Sequence, residues 1–128
     1  MNVVDSSAWL EYFANGLNAA FFAEAIEATE DLIVPSLTLY EVFKRVLQQR
    51  DEDVALQAVA TMQQGMVVDL NAHLALSAAR ISHENKLPMA DSIVLASTRE
   101  YSATLWTQDA DLEGLQGVRY RKKKLRTT

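Results

Sequence analysis

The sequence predicts an α/β fold, a three-layer α/β/α sandwich around a short parallel sheet of four to five strands. Short apolar runs typical of buried strands alternate with longer segments whose apolar residues recur at helical spacing. Parallel strands need such crossovers, which are right-handed in nearly all proteins. The chain has 128 residues with only 4 Gly and 2 Pro, and no segment has the composition of a linker. We therefore expect one domain over residues 1–120, followed by a basic tail over residues 121–128.

The first half of the chain contains two predicted strands and four predicted helices. The first strand, residues 3–4, ends at Asp5. Either Ser6 or Ser7 is expected to cap the helix that follows, which runs to Phe13. The remaining elements of this half are a helix after Asn18, a strand at 32–34, a long helix capped by Ser36, and a helix from 51 to 64–65.

The second half contains three predicted strands and two long helices. The second of these helices, which begins at Pro88 or Met89, has almost no polar face and should be largely buried. The elements in order are a strand at 66–68, a helix from Asn71 to 85–86, the buried helix, a strand at 103–106, a helical turn at 109–112 and a short strand at 118–120.

Composition narrows the classes of protein to which the chain can belong. It contains no cysteine, which removes disulfides, thiolate chemistry and cysteine zinc sites. The apolar runs fall short of the roughly 20 residues that cross a bilayer, and the N-terminus lacks the pattern of a secretory signal. These features favour a cytoplasmic protein with no membrane association.

Charge is divided unevenly along the chain. The net charge is −5, which argues against a large nucleic-acid-binding surface. Half of the 12 basic residues nevertheless lie between Arg119 and Arg126, so a basic tail follows an acidic body. Such a tail is typically a solvated end of the chain, and its alternative role is contact with RNA phosphates or with a protein partner.

Four carboxylates are candidates for a functional site at one edge of the predicted sheet. Asp5 and Asp109 follow strands, and Asp91 is in the first turn of the buried helix. Glu41 lies on the long helix, one position round from its apolar stripe. Taken singly, the aspartates have an explanation as helix or turn caps, and Glu41 has one as the i,i+4 partner of Arg45.

Taken together, these carboxylates predict a metal site. The carboxyl ends of parallel strands meet at one edge of a sheet, which is where open α/β proteins bind their ligands. Several carboxylates there would repel one another unless a divalent cation neutralised them, and all-oxygen ligand sets select Mg²⁺ or Mn²⁺. Such a centre is suited to phosphodiester hydrolysis, in which the metal activates a water and stabilises the charge that grows on the phosphate.

Four blocks of sequence carry a resemblance to a known family. They are Val3-Val4-Asp5-Ser6-Ser7, Ser36-x-Thr38-x-x-Glu41-Val42, Ala90-Asp91-Ser92-Ile93, and Leu105-Trp106-Thr107-Gln108-Asp109-Ala110-Asp111-Leu112. In this order they resemble the PIN-domain nucleases, and the compact length resembles the VapC-type toxins of bacterial and archaeal toxin–antitoxin pairs. One departure is Ser92, since the family more often has alanine after the aspartate.

The resemblance implies a PIN-like fold and roles for particular residues. It implies an acidic site for Mg²⁺ or Mn²⁺ formed by Asp5, Glu41, Asp91 and Asp109. The side chains that would hydrogen-bond around that site are Ser7, Thr107 and Asp111. The three aspartates of the first set would hold the main ion, while Glu41 would support it or position the attacking water.

The implied activity is that of a metal-dependent endoribonuclease, the toxin component of a toxin–antitoxin pair. It would hydrolyse phosphodiester bonds in single-stranded regions of RNA through a metal-activated water, leaving a 3′-hydroxyl and a 5′-phosphate. The implied partners are the RNA substrate, a cognate antitoxin and a second copy of the chain in a homodimer. Lys44 and Arg45, just beyond Glu41, are expected to hold an RNA phosphate beside the metal.

Aromatic residues cluster on the first two helices, where they form either core or a partner-binding groove. The members of the cluster are Trp9, Tyr12, Phe13, Phe21 and Phe22. Any that stay exposed would form an apolar groove for an amphipathic segment. In the VapC-type family the antitoxin binds this general region.

Two other functions remain open. A phosphatase could use Asp5 as a nucleophile and form an aspartyl-phosphate. Haloacid-dehalogenase-type proteins follow that position with an Asp-x-Thr-type spacing, whereas the residue two beyond Asp5 is Ser7. The other alternative is a non-catalytic α/β module that binds a partner. A titration with Mn²⁺ would separate that module from the nuclease, because the module should have no metal site.

Overall fold

The computed structural model describes residues 1–125, and within them five strands form one parallel sheet. The strands are β1 (Asn2–Val4), β2 (Leu32–Pro35), β3 (Met66–Val68), β4 (Thr104–Thr107) and β5 (Val118–Tyr120), in the sheet order β3-β2-β1-β4-β5. The helices are α1 (Ser6–Phe13), α2 (Ala19–Ile26), α3 (Ser36–Gln49), α4 (Glu52–Met62), α5 (Ala72–Asn85) and α6 (Met89–Glu100), with 3₁₀ turns at Thr29–Asp31 and Ala110–Leu112. The predicted α/β class and strand number are confirmed.

The central strand β1 explains why its sequence is a continuous apolar run. It pairs in parallel with β2 on one side and with β4 on the other. Val3 packs into the core beneath α5 and α6, Val4 packs into the core beneath α1 to α4, and both are fully buried. A strand covered on both faces has no solvent side, so no alternation of polar and apolar residues is expected.

Helices cover both faces of the sheet and produce the three-layer sandwich. One layer packs through Trp9 of α1, Phe22 of α2 and Met62 of α4. The other packs through Ile81 of α5 and Leu95 of α6. The helix that begins at Met89 is as buried as its sequence predicts, with every residue from 92 to 98 buried. The three-layer prediction is therefore confirmed.

The cap of α1 differs from the prediction. The N-cap is Asp5 rather than Ser6 or Ser7. The Asp5 carboxylate accepts a hydrogen bond from the backbone N–H of Ala8 at 3.1 Å. The serines are the first two helical residues, because the helix begins directly after Asp5, which has the extended backbone conformation of an N-cap.

Two further boundaries shift by one residue because strand pairing extends further than predicted. Pro35 pairs with Val68 of β3, so Pro35 occupies the N-cap position of α3 and Ser36 is not the cap. Thr107 pairs with Tyr120 of β5, so β4 ends at Thr107 and not one residue before it. Both shifts matter for the site, because they fix where the chain leaves the sheet.

The segment after β5 is held against the body of the domain as far as the structure describes it. The backbone N–H of Arg121 donates to the carbonyl of Thr107 at 3.0 Å, and the carbonyl of Lys122 accepts from Asn18 Nδ2 at 3.0 Å. The boundary between residues 120 and 121 stays a prediction, and residues 126–128 of the predicted tail lie outside the described residues. No helix among residues 1–125 combines the length and apolar character needed to cross a membrane.

Candidate metal centre

Asp5 is fixed at the end of the central strand by three hydrogen-bond donors. Its side chain is buried, with 4% of the residue surface exposed. Thr107 Oγ1 donates to Asp5 Oδ2 at 2.6 Å, and Ser7 Oγ donates to Oδ1 at 2.8 Å. The Ala8 N–H supplies the third bond. The strands β1 and β4 are neighbours in the sheet, and Val4 pairs with Trp106. The next residues along the two strands, Asp5 and Thr107, therefore lie side by side.

Burial dominates the ionisation of Asp5. It raises the pKa of Asp5 to about 6, since removal from water disfavours the charged form. The bonds from Thr107, Ser7 and Ala8 lower that pKa, and the charge of Asp109 adds a smaller rise. Asp5 is therefore a helix cap, and it also lies close enough to Asp109 for that charge to raise its pKa.

Asp109 and Asp111 are brought together by the turn that follows β4. The backbone N–H of Asp109 donates to Thr107 Oγ1 at 2.9 Å, so one threonine hydroxyl contacts both Asp5 and the Asp109 backbone. Asp109 Oδ1 in turn accepts from the Asp111 N–H at 2.9 Å and caps the short 3₁₀ turn. The two carboxylates thus belong to one 3₁₀ turn, Asp109 as its N-cap and Asp111 as its second residue.

Asp91 completes a cluster of three carboxylates. One carboxylate oxygen of each of Asp91, Asp109 and Asp111 lies within 4.8 Å of the other two. Burial raises the pKa of Asp91 to about 7, and so do the charges of Asp109 and Asp5, a hydrogen bond with Asp109, and the charge of Asp111. Each of these influences opposes ionisation of Asp91. In the ion-free protein this carboxyl therefore holds its proton to near neutral pH.

Glu41 is not one of the carboxylates that converge in this cluster. Burial raises the pKa of Glu41, and a hydrogen bond with Ser6 lowers it. That bond places Glu41 next to the residue that follows Asp5. The carboxylates that meet within the described residues are thus Asp91, Asp109 and Asp111, with Asp5 close enough to raise the Asp91 pKa.

The donor set fits a hard divalent cation. All of the converging atoms are carboxylate oxygens, the ligands that Mg²⁺ and Mn²⁺ prefer. Throughout residues 1–125, an ion pair within 4.0 Å is found only between His73 and Glu100, so no lysine or arginine neutralises the cluster at that distance. The repulsion that raises the Asp91 pKa is what a bound cation would relieve.

The structure separates the two basic residues that the sequence placed together. Arg45 lines a polar cavity of about 340 Å³ whose lining also includes Ser7 and Asp109. Lys44 instead lies over the Tyr40 ring, 5.7 Å from its centroid, beside an apolar groove between α3 and α4. Consecutive helical residues differ by about 100° in direction. Only Arg45 is therefore beside the candidate metal centre.

Most residues that line this cavity were not singled out from the sequence, and Gln108 and Lys123 are two of them. Gln108 follows the last residue of β4, and its side chain accepts from Asn18 Nδ2 at 3.1 Å. Lys123 lines the cavity from the segment after β5. Gln108 belongs to one of the blocks that carry the family resemblance and Lys123 to the basic tail, but their meeting at one cavity depends on contacts between residues about 100 positions apart.

The aromatic cluster of the first two helices is mostly core. Trp9 and Phe22 are fully buried, and the three others are partly buried. The opening nearby is a cavity of about 340 Å³ between α1, α3 and α4, with apolar residues such as Leu10, Phe13 and Val46 on part of its lining and polar residues on the rest. The aromatic residues of α2 do not line this opening.

The same fold occurs in solved toxin–antitoxin proteins. A toxin–antitoxin complex from Klebsiella pneumoniae is 19% identical with a TM-score of 0.79, over 93% of this chain and 96% of that chain. The DNA-bound VapBC of Salmonella typhimurium is 14% identical with a TM-score of 0.73, over 94% and 96%. VapC20 of Mycobacterium tuberculosis, described as a sarcin–ricin loop cleaving toxin, is 16% identical with a TM-score of 0.71, over 87% and 92%. At these identities the likeness establishes a shared fold.

Family membership is decided by sequence. A comparison with curated proteins finds no match. The family profile of the PIN domain, in contrast, matches residues 3–118, which span every strand of the sheet up to the start of β5. The chain belongs to the PIN domain family.

Proposed function

We propose that this PIN domain is a metal-dependent endoribonuclease, the toxin of a toxin–antitoxin pair, which hydrolyses phosphodiester bonds in single-stranded regions of RNA. The observation that carries the proposal is the convergence of Asp91, Asp109 and Asp111, with Asp5 close enough to raise the Asp91 pKa. Among the described residues, no lysine or arginine forms an ion pair with these carboxylates. The RNA-cleaving VapC20, which shares the fold, supports RNA as the substrate. Because that substrate is cellular RNA, we propose the cytoplasm as the site of action.

The ion would be held by Asp5, Asp91 and Asp109, with Asp111 at the exposed edge. When bound, Mg²⁺ or Mn²⁺ supplies Lewis acidity that activates water and stabilises negative charge on the phosphate. Thr107 orients both Asp5 and the turn of Asp109. Glu41, half-buried and next to Ser6, would support the ion or position the attacking water. We expect products with a 3′-hydroxyl and a 5′-phosphate.

The proposed protein partner is a DNA-binding antitoxin. One of the similar structures is a toxin–antitoxin complex, and another is a VapBC bound to DNA. The partly apolar cavity between α1, α3 and α4 offers a place for an amphipathic segment. Exchange of Val54 at its edge for Asp should weaken antitoxin binding and leave RNA cleavage by the free toxin unchanged.

A homodimer is proposed from an apolar surface on the opposite layer. Leu70 and Met89 line one cavity beside α5 and α6, and Met89 has 73% of its surface accessible. Large exposed side chains that lie together typically mark an interface. Light scattering should give the mass of two chains, and Met89→Glu should shift it towards one chain.

An aspartyl-phosphate mechanism is poorly supported by the surroundings of Asp5. Both of its oxygens accept hydrogen bonds, and the residue is almost fully buried. A nucleophilic carboxylate must be exposed to the substrate, which the burial of Asp5 opposes, whereas Oδ2 accepts only one hydrogen bond and keeps a lone pair for a metal ion. We therefore retain the nuclease and assign Asp5 to metal binding.

The nuclease proposal is tested by cleavage of a labelled single-stranded RNA of mixed sequence. Purified protein should cleave it in Mn²⁺ or Mg²⁺ and stop in EDTA, and sequencing of the ends should find a 5′-phosphate on the downstream fragment. Cleavage that continues in EDTA, or that leaves a 2′,3′-cyclic phosphate, would refute the proposal.

A further inference from the structure

A polar cavity beside the carboxylates is lined by two basic residues from distant parts of the chain. Arg45 comes from α3 and Lys123 from the segment after β5, and Asp109 of the candidate metal centre lines the same cavity. Both basic side chains are exposed. Across residues 1–125 neither forms an ion pair with a carboxylate within 4.0 Å, so both charges are available to a ligand.

Lys123 is placed at this cavity by specific contacts of the residues before it. Asn18 is 1% exposed, and its Nδ2 donates both to Gln108 Oε1 at 3.1 Å and to the carbonyl of Lys122 at 3.0 Å. The Arg121 guanidinium lies over the Phe21 ring, 4.0 Å from its centroid. The two residues that precede Lys123 are therefore attached to the body of the domain.

Contacts within the turn before Asn18 hold that residue in place. Glu11 Oε2 accepts the backbone N–H of Asn18 at 2.9 Å. A Cβ at Gly16 would clash with Glu11 Oε1, so only glycine allows the buried carboxylate to occupy that place. The Glu11 carboxylate, which also lines the cavity, is thus already engaged with the protein.

The charges of the cavity favour an anion that extends from the metal centre. Its lining carries two positive charges, Arg45 and Lys123, and two negative ones, Glu11 and Asp109. A cation held by Asp109 would offset that residue and leave the cavity with net positive charge. A polyanion whose charges are regularly spaced along a chain matches this arrangement. One phosphate can be held beside the metal, and a neighbouring phosphate can be held beside Arg45 and Lys123.

We propose that Arg45 and Lys123 form a binding site for the RNA phosphate next to the one that is cleaved, with Asn18 as the residue that positions Lys123. This inference rests on the proposed ribonuclease function. It gives the basic segment after β5 a place in substrate binding, with Lys123 beyond the residues that the family profile matches.

The test is steady-state cleavage of a fluorescein-labelled single-stranded RNA of mixed sequence by the full chain in Mn²⁺. Lys123→Ala should raise KM roughly fivefold and leave kcat unchanged, as expected for loss of one exposed charge contact. The slope of log(kcat/KM) against log salt should decrease in magnitude by about 0.7, the value for one phosphate contact on a single strand. The matched control is Lys124→Ala, which removes an adjacent charge that does not line the cavity.

Asn18→Ala tests the positioning role. It should raise KM, as Lys123→Ala does. The KM of the double variant should be no higher than that of Lys123→Ala alone. Equal KM values and salt slopes for the Lys123 and Lys124 variants would overturn the inference. So would unchanged RNA kinetics together with weaker antitoxin binding, which would assign the cavity to an acidic protein segment. Failure of the wild type to cleave RNA would instead refute the proposed function itself.

Discussion

The two halves of the acidic site are built in opposite ways. In the strand half, the Asp5 carboxylate is surrounded by donors from Thr107, Ser7 and the α1 backbone. In the turn half, Asp91 faces the carboxylates of Asp109 and Asp111. The first half is complete within the protein, whereas the second lacks a counter-charge.

This difference shows where a cation would act. Hydrogen bonds lower the pKa of Asp5 and partly offset its burial, so the protein itself stabilises that charge. Every influence on Asp91 raises its pKa. Neutralisation by a divalent ion would therefore have its main effect on the turn half, while the strand half supplies a preorganised ligand.

The largest expected effect is on catalysis in the turn half. Asp91→Asn should reduce RNA cleavage by about a hundredfold or more, because it removes a ligand of an ion whose contribution amounts to several kcal/mol. The matched control is Asp53→Asn, an aspartate in the first turn of α4 that is exposed and away from the site. It should cleave like the wild type. Wild-type rates in both variants would exclude Asp91 from the site.

In the strand half, the expected effect of a substitution is a lower free energy of unfolding. Thr107→Val removes the donor to Asp5 Oδ2 and the acceptor of the Asp109 N–H, so unfolding in urea should show a loss of about 1–3 kcal/mol. Thr98→Val is the control, since Thr98 is equally buried but its hydroxyl only donates to the Val94 carbonyl within α6. That change should cost about 0.5 kcal/mol or less. Equal losses would mean that the Thr107 network contributes nothing beyond burial.

The turn half should instead gain stability when its charge is removed. The folded-state pKa of Asp91 is about 7, raised from 3.8. The stability contribution of its protonated form is complete below the lower value and is lost as pH rises through the higher one. In EDTA, Asp91→Asn should therefore melt higher than the wild type near pH 8 and equally near pH 4. Asp53→Asn should melt no higher than the wild type near pH 8, because a charge at a helix N-terminus is favourable. A pH-independent gain for Asp91→Asn would contradict this explanation.

The smallest effect is expected at the exposed edge of the turn half. Asp111→Asn should weaken Mn²⁺ binding by about two- to fivefold, because an exposed charge contributes little. Calorimetric titration would measure it. A loss as large as that of Asp91→Asn would make Asp111 a principal ligand.

The sequence could predict most of the fold and the edge at which the carboxylates meet. The apolar run at Val3 and Val4 predicts a buried strand. The apolar segment that begins at Met89 predicts a buried helix, and the structure has both elements. Asp5 and Asp109 follow strands, and parallel strands have their carboxyl ends at one edge. Their proximity therefore followed from topology alone.

The remaining features depend on geometry that sequence patterns do not contain. The closeness of Asp111 to the cluster arises from a single 3₁₀ turn, and the separation of Lys44 from Arg45 arises from helical rotation. The position of Lys123 depends on a hydrogen bond between Asn18 and the Lys122 carbonyl, 104 residues apart. Pairings of that kind leave no periodic signal in the chain.

A calorimetric titration with Mn²⁺ tests the central claim most directly. The wild type should bind at a defined site near pH 8, bind more weakly near pH 6, and release protons there, because the ion must displace them from carboxyls whose pKa values are about 6 and about 7. Asp91→Asn should show little binding at either pH. Absence of Mn²⁺ binding by the wild type near pH 8, or equal binding by Asp91→Asn, would contradict the account.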